Sequence, residues 1–206
     1  FPGTNCEMDS KRVFDKVGAE ANIHIMRNMT QTQLIDSIDE LEKKIRESQI
    51  IFIPGGFSGG DEPDGSAKFI TAVFRNPKIK EAVTELLENR DGLMLGVCNG
   101  FQALVKLGLV PYGKISDMDD NSPTLTYNKI GRHASCLVNT RIASNKSPWL
   151  AGVEVDDIHT IAISHGEGRF IANDEVIAKM IENGQIATQY VDFNGNPSMD
   201  IAYNPN

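Results

Sequence analysis

The chain has 206 residues, with 20 Lys and Arg against 28 Asp and Glu, and a formal net charge of −8 at pH 7. That length can bury a core without disulfide or metal cross-links, and the acidic balance excludes a protein whose main role is to hold nucleic acid. No apolar run approaches the roughly 20 residues that cross a bilayer, so no membrane partner is expected. Cys6, Cys98 and Cys136 do not have the spacing of a disulfide framework or a zinc knuckle, which indicates reduced thiols and a cytoplasmic location.

Helical and strand patterns alternate along the first two thirds of the chain. A short amphipathic helix is predicted over residues 9–17, ended by Gly18, and a short strand over residues 22–26. Residues 33–47 have apolar side chains at helical spacing, with acidic residues early and basic residues late, as the helix dipole prefers. The continuous apolar run over residues 49–53 predicts a strand that is buried on both faces.

A glycine-rich loop at residues 55–61 opens the next part of the chain. The pattern after it is helix, helix, strand and helix, over residues 66–74, 77–88, 92–97 and 99–107. This order of strand, crossover and strand predicts an α/β fold with a doubly wound, mostly parallel sheet. Beyond Pro111 the pattern changes to loops and short strands, predicted over residues 134–140, 160–164 and 186–190.

Residues 96–100, with the sequence GVCNG, have the form of a nucleophile elbow with Cys98 in the place of the usual serine. A nucleophile on a sharp strand-to-helix turn is crowded by its own backbone, so the residues two before and two after it must be small. A helix N-terminus also favours the reactive thiolate. We therefore expect Cys98 to be a nucleophile and the amide of Asn99 to be an oxyanion donor. The alternative is a structural cysteine in a glycine-rich turn.

Residues 164–168, with the sequence SHGEG, follow a predicted strand. Side chains two apart on an extended chain point the same way, so Glu167 is expected to orient His165 as the base for Cys98. A satisfied structural histidine is the alternative, and the remaining histidines are predicted to be structural: His24, His133 and His159. A zinc site of His165, Glu167 and Cys98 is disfavoured because no third histidine or close cysteine pair supports it.

The glycine-rich loop follows a buried strand and is expected at the same sheet edge as Cys98. It matches neither of the glycine motifs that bind nucleotide phosphates, so we interpret it as a backbone loop whose amides approach an oxyanion. Residues 61–65 resemble a calcium loop only loosely, because the ligand spacing and the closing glutamate are missing. No metal site is predicted.

With these motifs placed, the sequence resembles the class I (triad) glutamine amidotransferases, and within them the glutaminase domains of phosphoribosylformylglycinamidine (FGAM) synthase. The matching segments cover most of the chain and are residues 1–7, 54–58, 96–102 and 164–168. Residues 130–132 also match a family stretch, although His133 stands where the family usually has Phe. Gly59 departs from the family's usual residue after Phe57 and Ser58, which puts the glutamine pocket in doubt but not the chemistry.

The resemblance implies a three-layer, flavodoxin-like architecture and a catalytic triad of Cys98, His165 and Glu167. It implies an oxyanion hole from the backbone of Gly56 or Phe57 together with Asn99, and it adds Gln102 to the substrate-binding residues. The implied substrate is glutamine, and the implied partner is a synthetase domain that uses ATP and Mg²⁺ to make formylglycinamidine ribonucleotide in purine biosynthesis.

The chain is expected to be one glutaminase domain over residues 1–206, and to need no cofactor of its own. Because it begins on Phe1 and ends on turn-like residues, we expect the C-terminal domain of a longer synthase, cut at both ends. Two alternatives stay open. One is another cysteine hydrolase or a DJ-1-like protein on a similar sheet, and the other is an inactive binding module.

Overall fold

A computed structural model describes residues 1–59 and 67–206, which form two compact units, Phe1–Asp119 and Asp120–Asn206. The elements of the first unit are α1 (Glu7–Lys16), α2 (Gln31–Glu47), β1 (Ile50–Ile53), α3 (Lys68–Phe74), α4 (Pro77–Glu88), β2 (Leu93–Gly96), α5 (Asn99–Leu107) and the short α6 (Leu109–Tyr112). In the described part of the chain, no helix is both long enough and apolar enough to cross a membrane.

Strands β1 and β2 are parallel neighbours, paired from Ile50 opposite Leu93 to Ile53 opposite Gly96. A parallel pair needs a crossover connection, and α3 and α4 lie within it. Successive side chains of a strand point to opposite faces of the sheet. The ring of Phe52 therefore meets Phe14 of α1, at 5.4 Å between ring centroids, while Ile53 belongs to the main core.

The main core lies among α2, α3, α4 and α5, and it includes Ile53 of β1. Local sequence determines where these helices begin and end: Thr30 caps α2 by accepting from the Gln33 amide, and α5 ends at Gly108, whose φ is 80°. The buried apolar residues that make up this core are Ile45, Ile53, Ala67, Ile70, Phe74, Ile79, Ala82, Val83, Ala103, Leu104, Leu107 and Ile115.

The second unit contains antiparallel pairings. Its elements are β3 (Thr124–Thr126), β4 (Ala134–Ile142), a 3₁₀ turn (Pro148–Leu150), β5 (Ile158–His165), β6 (Arg169–Ile171), α7 (Asp174–Glu182) and β7 (Thr188–Val191). Strand β4 is central in a sheet of order β5-β4-β7, and β3 pairs with β6. The register of β4 and β5 places Ala134 opposite His165, so the histidine stands at the end of a long ladder.

Most sequence-predicted elements of the first unit are confirmed. The helices over 77–88 and 99–107 have the predicted bounds, and Gly18 follows α1 with a φ of 90°. Of the helix predicted over 66–74, Ser66 lies outside the described residues and α3 begins at Lys68.

Three predictions about the elements are wrong. Residues 22–26 lie outside the described strands, because an extended segment becomes a strand only where a neighbour supplies ladder hydrogen bonds. Strand β1 is not buried on both faces: Ile50 is 37% exposed, Ile51 and Phe52 are partly buried, and only Ile53 is fully buried in the core. Helix α7 was missed in a region predicted as loops and strands, although Asn173 caps it through the Val176 amide, and Asp174 and Glu175 fill its first turn.

Candidate active site

Cys98 lies at the turn between β2 and α5, with φ 54° and ψ −112°, a backbone region that residues with a side chain rarely adopt. A Cβ atom on Gly96 would lie 2.5 Å from the carbonyl oxygen of Gly100, and one on Gly100 would lie 2.0 Å from the carbonyl oxygen of Ile53. The prediction that both positions must be small is therefore confirmed. The thiol of Cys98 is free and exposed, so the turn presents it to solvent.

The glycine-rich loop approaches this thiol through Gly55. A Cβ atom on Gly55 would lie 3.1 Å from the Cβ of Cys98 and 3.6 Å from its sulfur, so glycine lets the loop backbone lie against the nucleophile. This confirms that the loop and Cys98 share one sheet edge. Residues 60 and 61 of the loop, and the acidic stretch over 61–65, lie outside the described residues.

The segment near the start of the chain pairs with the same loop and distinguishes the two predicted oxyanion donors. The Phe57 amide donates to the carbonyl oxygen of Gly3 at 2.9 Å, and the Asn5 amide donates to that of Gly55 at 2.9 Å. Gly56 and Thr4 are then the non-hydrogen-bonded pair of this bridge, so the Gly56 N–H points away from Thr4. The geometry favours Gly56 over Phe57 as the donor.

Asn99 opens α5 and is only 1% exposed. Its side-chain oxygen accepts from the Ser58 amide at 3.3 Å, and its side-chain nitrogen donates to Oε1 of Gln102 at 2.9 Å. The Asn99 side chain therefore ties the glycine-rich loop to the helix that follows the nucleophile, and Gln102 is part of the same network.

The second unit holds the predicted base, His165, at the end of β5. Nδ1 of His165 lies 2.9 Å from Oδ1 of Asn128, which is 3% exposed. The ring lies over Gly168, where a Cβ atom would be 2.4 Å from its Cε1. Burial lowers the pKa of His165 below its ordinary value, and the neighbouring His133 lowers it further, so the neutral form that can accept a proton is favoured.

Glu167 was expected to orient His165 because both residues would lie on one extended strand, and they do not. Strand β5 ends at His165 and the chain bends at Gly166, so residues 165 and 167 are not two positions of one extended strand. Nδ1 instead faces Asn128, which the sequence prediction missed. Asn128 and His165 are 37 positions apart in the sequence, and no local pattern indicates that an asparagine in a loop will contact a histidine. The triad role of Glu167 stays a prediction.

Two further predictions concern histidines and metals. Nε2 of His24 lies 3.1 Å from the carbonyl oxygen of Ser37, and Nε2 of His133 lies 3.0 Å from the hydroxyl oxygen of Ser164. Within residues 1–59 and 67–206, no group of three or more His, Cys, Asp or Glu side chains could hold a metal ion.

Comparison with known proteins identifies the family. The model of the CobB/CobQ-like glutamine amidotransferase domain matches residues 1–206. The phosphoribosylformylglycinamidine synthase subunit PurQ of Methanococcus maripaludis strain C7 is 32% identical over 207 residues, which covers 99% of this chain and 70% of that protein. PurQ of Aquifex aeolicus is 28% identical over 206 residues, which covers 100% of this chain and 77% of the relative.

A solved structure agrees on the fold. PurLQS from Thermotoga maritima superposes with a TM-score of 0.66 at 22% identity, over 99% of this chain and 76% of that one, which confirms the α/β fold class. Because the family model spans the whole chain, the DJ-1-like alternative is set aside. The chain therefore belongs to the CobB/CobQ-like glutamine amidotransferase family and groups with the PurQ subunits of phosphoribosylformylglycinamidine synthase.

Proposed function

We propose that the chain hydrolyses glutamine to glutamate and ammonia through a thioester on Cys98, as the glutaminase part of phosphoribosylformylglycinamidine synthase. One observation carries this proposal: an exposed cysteine held at positive φ between a strand and a helix, with a glycine two positions away on each side where a Cβ atom would lie 2.5 Å or less from a carbonyl oxygen. Membership in the glutamine amidotransferase family supports it.

In the first half of the reaction, the sulfur of Cys98 attacks the side-chain carboxamide carbon of glutamine, and Nε2 of His165 accepts the thiol proton. The developing oxyanion is stabilised by the amides of Gly56 and Asn99, and Gln102 contributes to substrate binding. The lowered pKa of His165 supports this role, because the imidazole is then neutral near pH 7.

In the second half, His165 returns its proton to the departing nitrogen, and the C–N bond breaks to release ammonia and leave a γ-glutamyl thioester. Water then gives up a proton to His165, adds to the thioester carbon and displaces the sulfur, which releases glutamate. Glu167 is retained as the third residue of the proposed triad, since its carboxylate would stabilise the imidazolium formed in both halves.

The ammonia is passed to a synthetase partner, either a domain of the same chain or a separate subunit, which converts formylglycinamide ribonucleotide to the amidine. ATP and Mg²⁺ belong to that partner in this proposal, and the chain itself acts as one glutaminase domain without a cofactor. The free thiols of Cys6, Cys98 and Cys136 favour the cytoplasm as the compartment.

The proposal is tested with Cys98→Ala and Cys98→Ser in the complete enzyme with its synthetase partner. Both variants should lose glutamine-dependent amidine formation while synthesis from added ammonium continues. Cys136→Ala is the matched control, because it removes another exposed free thiol that lies on β4. Mass spectrometry after treatment with a glutamine-analogue diazoketone should show the label on Cys98.

Two outcomes would overturn the proposal in different ways. Glutamine hydrolysis that survives Cys98→Ala would remove the nucleophile assignment. A wild-type chain that hydrolyses no glutamine even beside an active synthetase partner would instead support an inactive binding module.

A further inference from the structure

The side chain of Asn128 is a buried polar group beside His165. It is 3% exposed and makes four contacts. Oδ1 faces Nδ1 of His165 at 2.9 Å and accepts from the Gly168 amide at 3.0 Å, while Nδ2 donates to the carbonyl oxygens of His165 at 2.8 Å and Arg132 at 3.0 Å. Its own backbone amide donates to Gly166 at 2.9 Å, which fixes Asn128 to the same bend.

These contacts determine which way round the Asn128 amide lies. Two of its neighbours are carbonyl oxygens, which can only accept, and one is the Gly168 amide, which can only donate. With the amide reversed, an oxygen would face two oxygens and an NH₂ group would face an N–H. The observed orientation satisfies every neighbour, so the atom that faces His165 is an acceptor.

An acceptor at 2.9 Å requires a proton on Nδ1 of His165. In the neutral imidazole, that proton leaves Nε2 with an unshared pair. We infer that Asn128 is the positioning residue of His165 and holds the imidazole in the tautomer whose Nε2 accepts a proton. The catalytic consequence of this inference rests on the function proposed above, whereas the tautomer itself does not.

The close contact with Gly168 supports this assignment. The imidazole lies where a Cβ atom on Gly168 would be 2.4 to 2.9 Å from three of its atoms, so the ring rests directly on the backbone of that glycine. One ring edge is fixed by Asn128, which comes from the loop between β3 and β4, and one ring face by Gly168, which comes from the bend after β5.

A neutral amide has a different effect from a carboxylate in this position. It orients the ring without adding negative charge, so it does not favour the imidazolium in the resting enzyme. This agrees with the lowered pKa of His165, which has burial and His133 as its causes. Asn128 thus accounts for orientation, and the role of a charge-stabilising carboxylate remains separate from it.

The direct test is two-bond ¹H–¹⁵N NMR of the full chain at a pH above the pKa of His165. The protein has four histidines, and the His165 signals are assigned by their loss in His165→Gln. Wild type should show protonated Nδ1 and unprotonated Nε2. Asn128→Ala should mix the tautomers, while Asn128→Asp, which keeps an acceptor but loses both donor contacts, should keep the Nδ1–H form.

Asn139→Ala is the matched control, because the Asn139 side chain accepts from the Thr160 hydroxyl across β4 and β5 and is not in contact with His165. Glu167→Gln should likewise leave the tautomer unchanged. In the complete enzyme, we expect Asn128→Ala to lower kcat for glutamine hydrolysis at least about tenfold with a small change in KM, and Asn128→Asp to restore part of it.

An Nε2–H tautomer in wild type would overturn the inference whatever the activity, and so would a tautomer that Glu167→Gln shifts but Asn128→Ala does not. If Asn128→Ala lowers stability alone and leaves the tautomer intact, the residue is structural and the inference fails. If the tautomer behaves as expected but Cys98→Ala still hydrolyses glutamine, the proposed function fails and the inference about Asn128 stands.

Discussion

Replacing Gly100 with alanine should distort the turn that holds Cys98. The new Cβ would lie 2.0 Å from the Ile53 carbonyl oxygen, and ordinary contact begins at 3.4 Å, so the two must separate by 1.4 Å. Both are anchored in backbone, so no side-chain rotation relieves the clash. The same oxygen accepts a hydrogen bond from the Val97 amide at 3.1 Å, and this hydrogen bond joins β1 to the elbow.

The expected magnitude follows from three contributions. Overpacking against backbone costs about 3 kcal/mol at the upper end of the usual range, and loss of the bond from Val97 costs about 1 kcal/mol. Alanine is about 1 kcal/mol better than glycine within a helix, which offsets part of this in α5. The net loss in free energy of unfolding is about 3 kcal/mol, which corresponds to a urea midpoint about 1–2 M lower.

Urea unfolding can follow the two units with separate probes. Far-UV circular dichroism reports both, and the fluorescence of Trp149, the single tryptophan, reports the second unit. Gly59→Ala is the matched control in the same unit, because its new Cβ would have its nearest neighbour, the Pro2 carbonyl oxygen, at 3.9 Å. A Gly100→Ala protein with the wild-type midpoint and full glutaminase activity would show that this contact does not constrain the elbow.

Three further predictions concern the core, a helix cap and the base. Leu107→Ala should lower the free energy of unfolding by about 2–5 kcal/mol, because Leu107 is fully buried. Leu137→Ala is the control, since Leu137 is 72% exposed and its loss should change that free energy by less than about 0.5 kcal/mol. Equal urea midpoints for the two variants would contradict this prediction. Thr30→Ala should cost about 1 kcal/mol by removing the acceptor for the Gln33 amide, and Thr30→Ser should restore it. His133→Phe removes a side chain whose charge lowers the pKa of His165, so the pKa of His165 should rise. The base is then protonated up to a higher pH, and the acid limb of the pH profile of kcat/KM should shift to higher pH. His159→Phe is the control, and a limb that moves equally in both variants, or only in the control, would refute the assignment.

Local patterns predicted much of the first unit. Helix starts and stops depend on neighbours in sequence, which is why α4 and α5 were predicted at their observed bounds and Gly18 at the end of α1. Strand formation is not local in this sense. Residues 22–26 have a suitable composition but no strand beside them among the described residues, and the composition of a segment does not reveal its neighbour.

The site divides in the same way. The elbow at Cys98 is a local motif, since this sharp turn needs small residues two positions away on both sides, and the five residues stand together in the sequence. The surroundings of His165 are not local. The expectation about Glu167 assumed an extended chain across a residue at which the chain bends, and the residue that faces Nδ1 comes from a loop before β4.

The sequence alone therefore determined the elbow that presents Cys98, most of the elements in the first unit and the resemblance to glutamine amidotransferases, because each depends on residues adjacent in the chain. Only the tertiary structure revealed the bridge to residues 3–5 that favours Gly56 over Phe57, and the contact between Asn128 and Nδ1 of His165. Hydrogen bonds at those points join backbone and side chains from distant parts of the chain, so their partners are fixed only when the chain has folded.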